Sequence, residues 1–225
     1  MRNIILIAPP AAGKGTQAEL LEKKYNIPHI STGDLLRNEI NSNSELSSKI
    51  KESIDNGLFV SDEIVLKLVN DRITKDDCKN GYILDGFPRT LNQAKLYDNL
   101  LNQEKRDMPI AILINLDKEV AKQRINNRLS CSICGRIYNL NDEKLRPHKE
   151  NICDCCGNSL TKRKDDNNET YEIRYIEYVE DTEPIINYYQ DKDILYIVNG
   201  NKDVNSIQNQ IIDLINKKQL TKAYL

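Results

Sequence analysis

The chain has 225 residues and a net charge of −2, from 32 basic and 34 acidic side chains. This length can bury one sizeable core with one or two small inserted lobes. The near-neutral charge argues against a polynucleotide-binding protein, for which a strong basic excess is typical, but small anionic ligands need only a few local arginines.

Five short aliphatic segments predict strands, at residues 2–7, 28–30, 82–84, 110–116 and 194–198. They do not alternate with polar residues, which is typical of parallel strands covered on both faces. The first is too short for a secretory signal and ends at Pro9 and Pro10, and no run approaches the roughly 18 apolar residues of a membrane span. We therefore expect a cytoplasmic protein.

Segments with helical periodicity lie between these strands, at 14–24, 61–73, 90–103, 117–128, 168–190 and 204–217. Ser61 opens the second of them as a predicted N-cap, and 168–190 is predicted to be the longest helix. Strands that alternate with helices predict an α/β fold with right-handed crossovers. Two stretches interrupt the alternation, the polar helical residues 31–60 and the cysteine-rich residues 129–164, and we expect both to be inserted lobes.

A phosphate-binding loop is predicted between the first strand and the first helix. Glycines allow the backbone to approach an anion, Lys14 supplies charge to the β- and γ-phosphates, and Thr16 can serve a metal ion. The general pattern expects Gly at position 8 and Ser or Thr at position 15, where Ala8 and Gly15 stand. On this pattern alone, a structural turn is an equally good interpretation. The candidate nucleotide-binding residues are Ala11, Ala12, Gly13, Lys14, Gly15 and Thr16.

Two further strings accompany this loop: Ser31-Thr-Gly-Asp-Leu-Leu-Arg37, and Asp85-Gly-Phe-Pro-Arg89-Thr with Gln93 four residues on. With Gly-Lys-Gly-Thr-Gln at 13–17, they resemble the adenylate kinase family of nucleoside monophosphate kinases, in the family's order and over essentially the whole chain. The resemblance implies a P-loop kinase core with a five-stranded parallel sheet flanked by helices. It assigns 1–30, 61–127 and 165–225 to the core, 31–60 to a monophosphate-binding lobe and 128–164 to a zinc-binding lid.

The resemblance also implies an acceptor site. Arg89 would bind the AMP phosphate, Gln93 would recognise adenine, and Asp85 would support a magnesium ion through water. Taken alone, Arg37 is more often a surface charge, and Asp85-Gly86 is more often a turn. The implied AMP-binding residues are Thr32, Arg37, Leu58, Val60, Gly86, Arg89, Gln93, Arg163 and Arg174.

On the ATP side the resemblance implies Arg124 near the adenine, together with Lys202. Arg124 and Arg128 are four residues apart, and on one predicted helix they would share a face and an anionic ligand. Asp165 and Asp166 would orient the lid arginines. The implied catalytic residues are Lys14, Asp85, Arg89, Arg128, Arg163 and Arg174.

The cysteines predict a metal site. Cys131-x-x-Cys134 and Cys153-x-x-Cys156 are separated by eighteen residues, a spacing typical of four-thiolate zinc sites. Cys155 could compete as a ligand, whereas the isolated Cys78 is expected to be a small half-buried hydrophobe. The resemblance implies a structural Zn²⁺ ion in this lid.

The implied activity is reversible magnesium-dependent phosphoryl transfer from ATP to AMP, giving two ADP and serving adenine nucleotide homeostasis, in a monomeric enzyme without nucleic-acid or membrane partners. One alternative is a kinase for UMP, CMP or GMP. A second is a homologue that binds nucleotide with impaired turnover, which the altered loop would favour. A third is a zinc-ribbon nucleic-acid-binding protein, which the charge disfavours.

Overall fold

A computed structural model describes residues 2–42, 44–55, 60–162 and 166–223. A central five-stranded sheet has the order β2-β3-β1-β4-β8, and the strand pairs around β1 and β3 are parallel. Its strands are β1 (Arg2–Ile7), β2 (His29–Ser31), β3 (Gly81–Asp85), β4 (Ile110–Asn115) and β8 (Leu195–Asn199). All five correspond to the aliphatic segments of the sequence, so the predicted α/β architecture is confirmed.

Helices follow the strands along the chain. They are α1 (Lys14–Tyr25), α2 (Thr32–Asn41), α3 (Glu45–Asp55), α4 (Asp62–Ile73), α5 (Leu91–Gln103), α6 (Lys118–Asn126), α7 (Asn168–Glu177), α8 (Glu183–Gln190) and α9 (Val204–Ala223), with a 3₁₀ turn at Asp76–Cys78. The side chain of Ser61 accepts a hydrogen bond from the amide of Ile64, which confirms the predicted N-cap of α4.

Two helix predictions were wrong in their extent. The helix expected over 117–128 ends at Asn126, because Arg128 pairs with Asn139 in a second sheet. The helix expected over 168–190 is divided by a π-helical turn at Tyr178–Thr182. Pro184, in the first turn of α8, cannot donate a backbone hydrogen bond, so the regular ladder changes just before it. Among the described residues, the longest α-helix is α9.

The second sheet lies within the cysteine-rich region, where the sequence shows no strand periodicity. It has the antiparallel order β6-β5-β7, formed by β5 (Arg128–Cys131), β6 (Ile137–Asn139) and β7 (Leu160–Thr161). Its buried side chains form one small cluster of Cys131, Tyr138, Cys153 and Leu160. Two of these four are cysteines, so little apolar material holds this region together.

The chain divides into two compact units. The first comprises Met1–Ile7, Ala18–Leu113 and Asp181–Tyr196, and the second comprises Ala8–Gln17, Ile114–Glu180 and Ile197–Leu225. In the first unit, β1 and β3 are almost wholly buried, and the hydroxyl groups of Tyr82 and Tyr97 hydrogen-bond at 2.6 Å. Within the described ranges, no helix is long and apolar enough to cross a membrane.

Candidate active site

The phosphate-binding loop occupies the second unit, between the end of β1 and the start of α1. Ala11 and Gly13 have positive φ values of 63° and 83°, and Ala12 between them does not. Such alternation is typical of a backbone nest for anions, and it meets the N-terminus of α1 at Lys14. The backbone expected for phosphate binding is therefore present, and Lys14, Gly15 and Thr16 form the first turn of α1.

Ala8 and Ala11, two of the three alanines in this loop, differ in conformation. Ala8 is not among the described non-glycine residues with positive φ, so its side chain causes no backbone strain there. Ala11 adopts the left-handed region, where an L-residue with a Cβ atom is disfavoured by about 1 kcal/mol or more. An alanine side chain is therefore compatible with the backbone at position 8 and costly at position 11.

An acceptor-side cluster forms in the first unit where β2 and β3 end. Ser31 pairs with Asp85 across these strands, and α2 begins immediately after it. The hydroxyl of Thr32 donates to the carbonyl of Gly86 at 2.7 Å. A Cβ atom on Gly86 would lie 2.8 Å from that hydroxyl oxygen, and φ is +81°, so glycine is required on both counts. The two sequence strings therefore meet at this contact.

The arginines of this cluster have different surroundings. The Nε of Arg89 donates to the carbonyl of Gly86 at 3.0 Å, so Arg89 lies beside Thr32 and Gly86. Arg37 is largely exposed on α2 and pairs with Asp34 at 2.5 Å, next to Gly33. Val60 is half-buried just before the N-cap of α4. Leu58 lies outside the described residues.

Asp85, the candidate magnesium-supporting carboxylate, ends β3. Its Oδ2 lies 3.1 Å from Nε2 of His29 on β2. Burial lowers the pKa of His29, but the hydrogen bond and charge of Asp85, with the charges of Glu22 and Glu19, outweigh it and raise the pKa overall. The imidazolium form of His29 is therefore favoured beside this carboxylate.

Gln93, the candidate adenine reader, is buried in the first turn of α5. Its Oε1 accepts from the backbone N–H of Arg89 at 2.8 Å, and its Nε2 donates to Oδ1 of Asp62 at 2.8 Å. The sequence indicated Asp62 only as an acidic residue that opens a helix. Its contact with Gln93 joins positions 31 residues apart, which no local pattern could reveal.

Arg124 and Lys202, the two residues expected near the ATP adenine, lie together in the second unit. Nη2 of Arg124 donates to the backbone carbonyls of Gly200 and Lys202, at 3.0 and 3.2 Å. Partial burial lowers the pKa of Arg124. The Arg124 side chain thus stabilises the loop that carries Lys202. The side chain of Lys202 itself is exposed.

The interpretation of Arg124 and Arg128 as neighbours on one helix was wrong. Arg128 begins β5 and donates to both carboxylate oxygens of Asp166, whose side chain is fully buried. This pairing agrees with the expectation that Asp166 orients an arginine. Arg174 lies on α7, half-buried. Arg163 and Asp165 lie outside the described residues.

The candidate metal centre consists of Cys131, Cys134, Cys153 and Cys156. Their sulfur atoms all lie within 4.8 Å of one another, and the pairs 131–156 and 134–153 are 3.4 and 3.5 Å apart. Four convergent thiols are the ligand set of a closed tetrahedral site, for which Zn²⁺ is the usual ion. Cys155 is exposed and does not belong to this described cluster, so its competition as a ligand is disfavoured.

Two equivalent backbone turns build this centre. The amide of Gly135 donates to the carbonyl of Cys131 at 3.0 Å, and that of Gly157 donates to the carbonyl of Cys153 at 2.9 Å. Both glycines have φ above +70°, which explains the Gly that follows each Cys-x-x-Cys pair. The two knuckles are therefore matched structures, one from each half of the region.

Polar neighbours support the thiolate forms of two cysteines. The hydroxyl of Tyr138 lies 3.4 Å from the sulfur of Cys153, and this hydrogen bond, together with those from the backbone of Cys156 and Cys155 and from the Cys134 thiol, lowers the pKa of Cys153 to about 6. The amide of Asn158 lies 3.3 Å from the sulfur of Cys156 and lowers its pKa. Thiolates are the metal-binding form, so these neighbours favour metal loading. Sequence reasoning missed both, although Tyr138 lies between the two cysteine pairs.

Comparison with known proteins identifies the same family as the sequence motifs. A family model described as Adenylate kinase matches residues 6–194. The chain is 44% identical to an Adenylate kinase of Thermosipho africanus, over 96% of this chain and all of that protein. It is 41% identical to an Adenylate kinase of Clostridium tetani, over 95% of this chain and 98% of that protein, and 43% identical to one of Clostridium botulinum, over 96% and 99%.

Proposed function

The chain belongs to the adenylate kinase family. We propose that the acceptor-side cluster of Thr32, Gly86 and Arg89 is its AMP site. We propose that the loop at 11–16, with Arg124 and Lys202, is its ATP site. The enzyme is a nucleoside monophosphate phosphotransferase that transfers the terminal phosphoryl group of ATP to AMP and forms two ADP. The observation that carries the proposal is the junction of the two acceptor strings, in which Thr32, Gly86 and Arg89 are joined by hydrogen bonds.

In the acceptor site, Arg89 binds the AMP phosphate and Gln93 reads the adenine. Support comes from their common turn, because the backbone N–H of Arg89 donates to the side chain of Gln93. Thr32 and Gly86 form the surface against which AMP binds, and Arg37 adds positive charge. Leu58 and Val60 are assigned to contact with the adenine base. Arg163 and Arg174 complete the set around the phosphates.

On the donor side, Ala11 to Thr16 cradle the phosphates with backbone amides, and Lys14 neutralises the β- and γ-oxygens. Arg124 and Lys202 flank the adenine, and their shared loop contact supports this assignment. Arg128 acts on the transferring group, with its direction set by Asp166.

Catalysis here depends on alignment and charge, because the AMP phosphate oxygen is already ionised and needs no general base. The bond from the γ-phosphorus to the leaving ADP oxygen breaks as the bond to the AMP oxygen forms. Lys14, Arg89, Arg128, Arg163 and Arg174 hold the reacting groups and offset the developing charge. Closure of the lobes excludes water, the competing acceptor.

Mg²⁺ accompanies ATP in this family and supplies charge neutralisation at the β- and γ-phosphates. Asp85 fits an indirect role toward it, because its carboxylate ends β3 and offers the hard oxygen that Mg²⁺ prefers. His29 holds this carboxylate from the neighbouring strand. The hydroxyl of Thr16 is a second oxygen of the required type.

We assign the lobes as 31–60 for monophosphate binding and 128–164 for the lid, inserted into a core of 1–30, 61–127 and 165–225. The lid ion is Zn²⁺, since four thiols converge in a region with only a small apolar cluster. Such thiolates persist in reducing compartments, which supports a cytoplasmic enzyme. We expect a monomer, to be tested by sedimentation equilibrium.

ADP formation from ATP plus AMP, with and without Mg²⁺, tests this function directly. The same coupled assay with UMP, CMP and GMP as acceptors tests the alternative kinases. Turnover with AMP at a rate well above the other three supports the proposal. Absence of ADP with every acceptor, despite nucleotide binding, would instead identify a homologue that binds without turnover.

A further inference from the structure

The carboxamide of Gln93 is held in one orientation by two partners that cannot exchange roles. A carboxylate only accepts hydrogen bonds, so the Gln93 atom that faces Asp62 must be the NH₂ group. A backbone N–H only donates, so the atom that faces Arg89 N must be the oxygen. The chemistry of the two partners, rather than the shape of the side chain, therefore decides which end is which.

Asp62 is itself fixed in place. Its other oxygen, Oδ2, accepts from Nδ2 of Asn92 at 2.6 Å and from the hydroxyl of Thr90 at 3.4 Å. Thr90 also caps α5, because its hydroxyl accepts from the backbone N–H of Gln93 at 3.1 Å. The carboxylate thus joins the first turn of α4 to the first turn of α5, and it cannot turn away from Gln93 without losing these bonds.

Within the part of the chain that the structure describes, each end of the Gln93 carboxamide keeps one unused hydrogen-bonding direction: one N–H on Nε2 and one lone pair on Oε1. The adenine edge presents an acceptor at N1 and a donor at the 6-amino group, which match that N–H and that lone pair. Hypoxanthine and guanine present the reverse, a donor at N1 and an acceptor at O6. In the same pose both contacts would be repulsive.

We propose that Asp62 is a specificity-determining positioning residue, which locks the Gln93 carboxamide so that the acceptor site accepts 6-amino purines and rejects 6-oxo purines. The proposal rests on the assignment of Gln93 to the AMP base. A 6-oxo purine could be accommodated if the carboxamide rotated by half a turn. That rotation would bring Oε1 against the Asp62 carboxylate and the NH₂ group against the Arg89 N–H, so the buried Gln93 side chain would lose both hydrogen bonds and face two repulsive contacts.

The test is the ratio of kcat/KM for IMP to kcat/KM for AMP, measured with ATP as the donor. Asp62→Asn can present either a donor or an acceptor to Gln93, so the carboxamide can turn to suit either base. We expect the IMP-to-AMP ratio to rise by at least about tenfold. Asp62→Ala removes the carboxylate altogether and should raise the ratio in the same direction.

Glu63→Gln is the matched control. Glu63 lies next to Asp62 in the first turn of α4 and is exposed, so the substitution removes the same charge from the same helix end. It should leave the ratio unchanged. Melting temperatures of the three variants separate discrimination from stability, because a purely structural role for Asp62 would lower them without changing the ratio.

The activity of the wild-type enzyme distinguishes a failure of the acceptor-site assignment from a failure of the role proposed for Asp62. No turnover with AMP would remove the assignment of the acceptor site and, with it, this proposal. Turnover with AMP, combined with a wild-type IMP-to-AMP ratio in both folded Asp62 variants, would overturn the role of Asp62 and leave the assignment of the site standing. A rise of the ratio in Glu63→Gln as large as that in Asp62→Asn would assign the effect to helix charge instead.

Discussion

Arg128 donates two parallel hydrogen bonds to Asp166: Nε donates to Oδ2 at 2.7 Å, and Nη2 donates to Oδ1. The Asp166 side chain is fully buried, and that of Arg128 is 16% exposed. A bidentate pair in this setting fixes both the position and the plane of the guanidinium group. The guanidinium group of Arg128, the arginine expected to stabilise the moving phosphoryl group, is therefore held in one orientation by Asp166.

Asp166→Asn should destabilise the protein and slow phosphoryl transfer together. The neutral amide leaves Arg128 without its buried counter-charge, and loss of one partner of a buried pair costs about 3 kcal/mol. Urea unfolding measures the stability, and the ADP assay measures the rate. Glu172→Gln serves as the comparison, because Glu172 pairs with Lys118 and Lys122 at the surface, where loss of a salt bridge should cost far less stability than loss of the buried pair. Equal losses in the two variants would contradict the special status of the Arg128 pair.

Arg89→Ala should reduce turnover by orders of magnitude while the protein stays folded. The Arg89 side chain is exposed, and one of its hydrogen bonds goes to the carbonyl of Gly86, so little buried apolar contact is lost. Removal of a charge that binds the transferring or accepting phosphate affects mainly the transition state. Steady-state kinetics and circular dichroism together provide the measurement. Near-normal turnover would refute the assignment of the acceptor phosphate to Arg89.

Ala11→Gly should stabilise the protein by about 0.5–1 kcal/mol, because Ala11 has a φ of 63° and glycine adopts this conformation without steric cost. Ala8→Gly is the matched control in the same loop. Ala8 has no positive φ, so glycine there should instead destabilise by about 0.5–1 kcal/mol through the entropy of the unfolded chain. Urea unfolding of both variants measures the difference. Effects of the same sign would show that strain at Ala11 is not the cause.

Elemental analysis should find one zinc ion per chain, and its removal by a chelator should lower the melting temperature by about 5 to 10 °C. Cys131→Ser should reproduce this loss, because it removes one of the four convergent sulfur ligands. Cys155→Ser should retain both the metal and the melting temperature, since Cys155 is exposed and outside the described cluster. A metal-free protein of equal stability would rule out a structural ion.

The stability difference between the wild type and His29→Gln should depend on pH. The pKa of His29 is raised in the folded protein by Asp85, despite the opposing effect of burial. The stabilisation is therefore fully present below the unfolded pKa of about 6.5 and is lost as pH rises through the higher folded pKa. The substitution should cost more at about pH 6 than at about pH 8.5. Urea unfolding without nucleotide or Mg²⁺ measures this, and an equal cost at both values would exclude protonation of His29 as the source.

Continuous apolar runs and short motifs in the sequence predict a large part of this structure. The five aliphatic runs predict β1 to β4 and β8 to within two residues at either end, because a buried parallel strand requires a continuous apolar segment. The paired cysteines likewise indicate their own cluster, since two residues between thiols suit one knuckle. In each of these cases, the determining chemistry lies within a few neighbouring residues.

Contacts between residues far apart in the sequence decided the features that the sequence did not predict. Whether Arg128 belongs to a helix or a strand depends on its pairing with Asn139, and its direction depends on Asp166, 38 residues away. The orientation of Gln93 depends on Asp62, and the cost of Ala11 depends on a backbone angle that no residue type specifies alone. The sequence by itself determined the fold class and the family, and it predicts the ligand types. Only the tertiary structure decided which partner each charged or polar side chain meets, because buried hydrogen bonds are satisfied in space rather than along the chain.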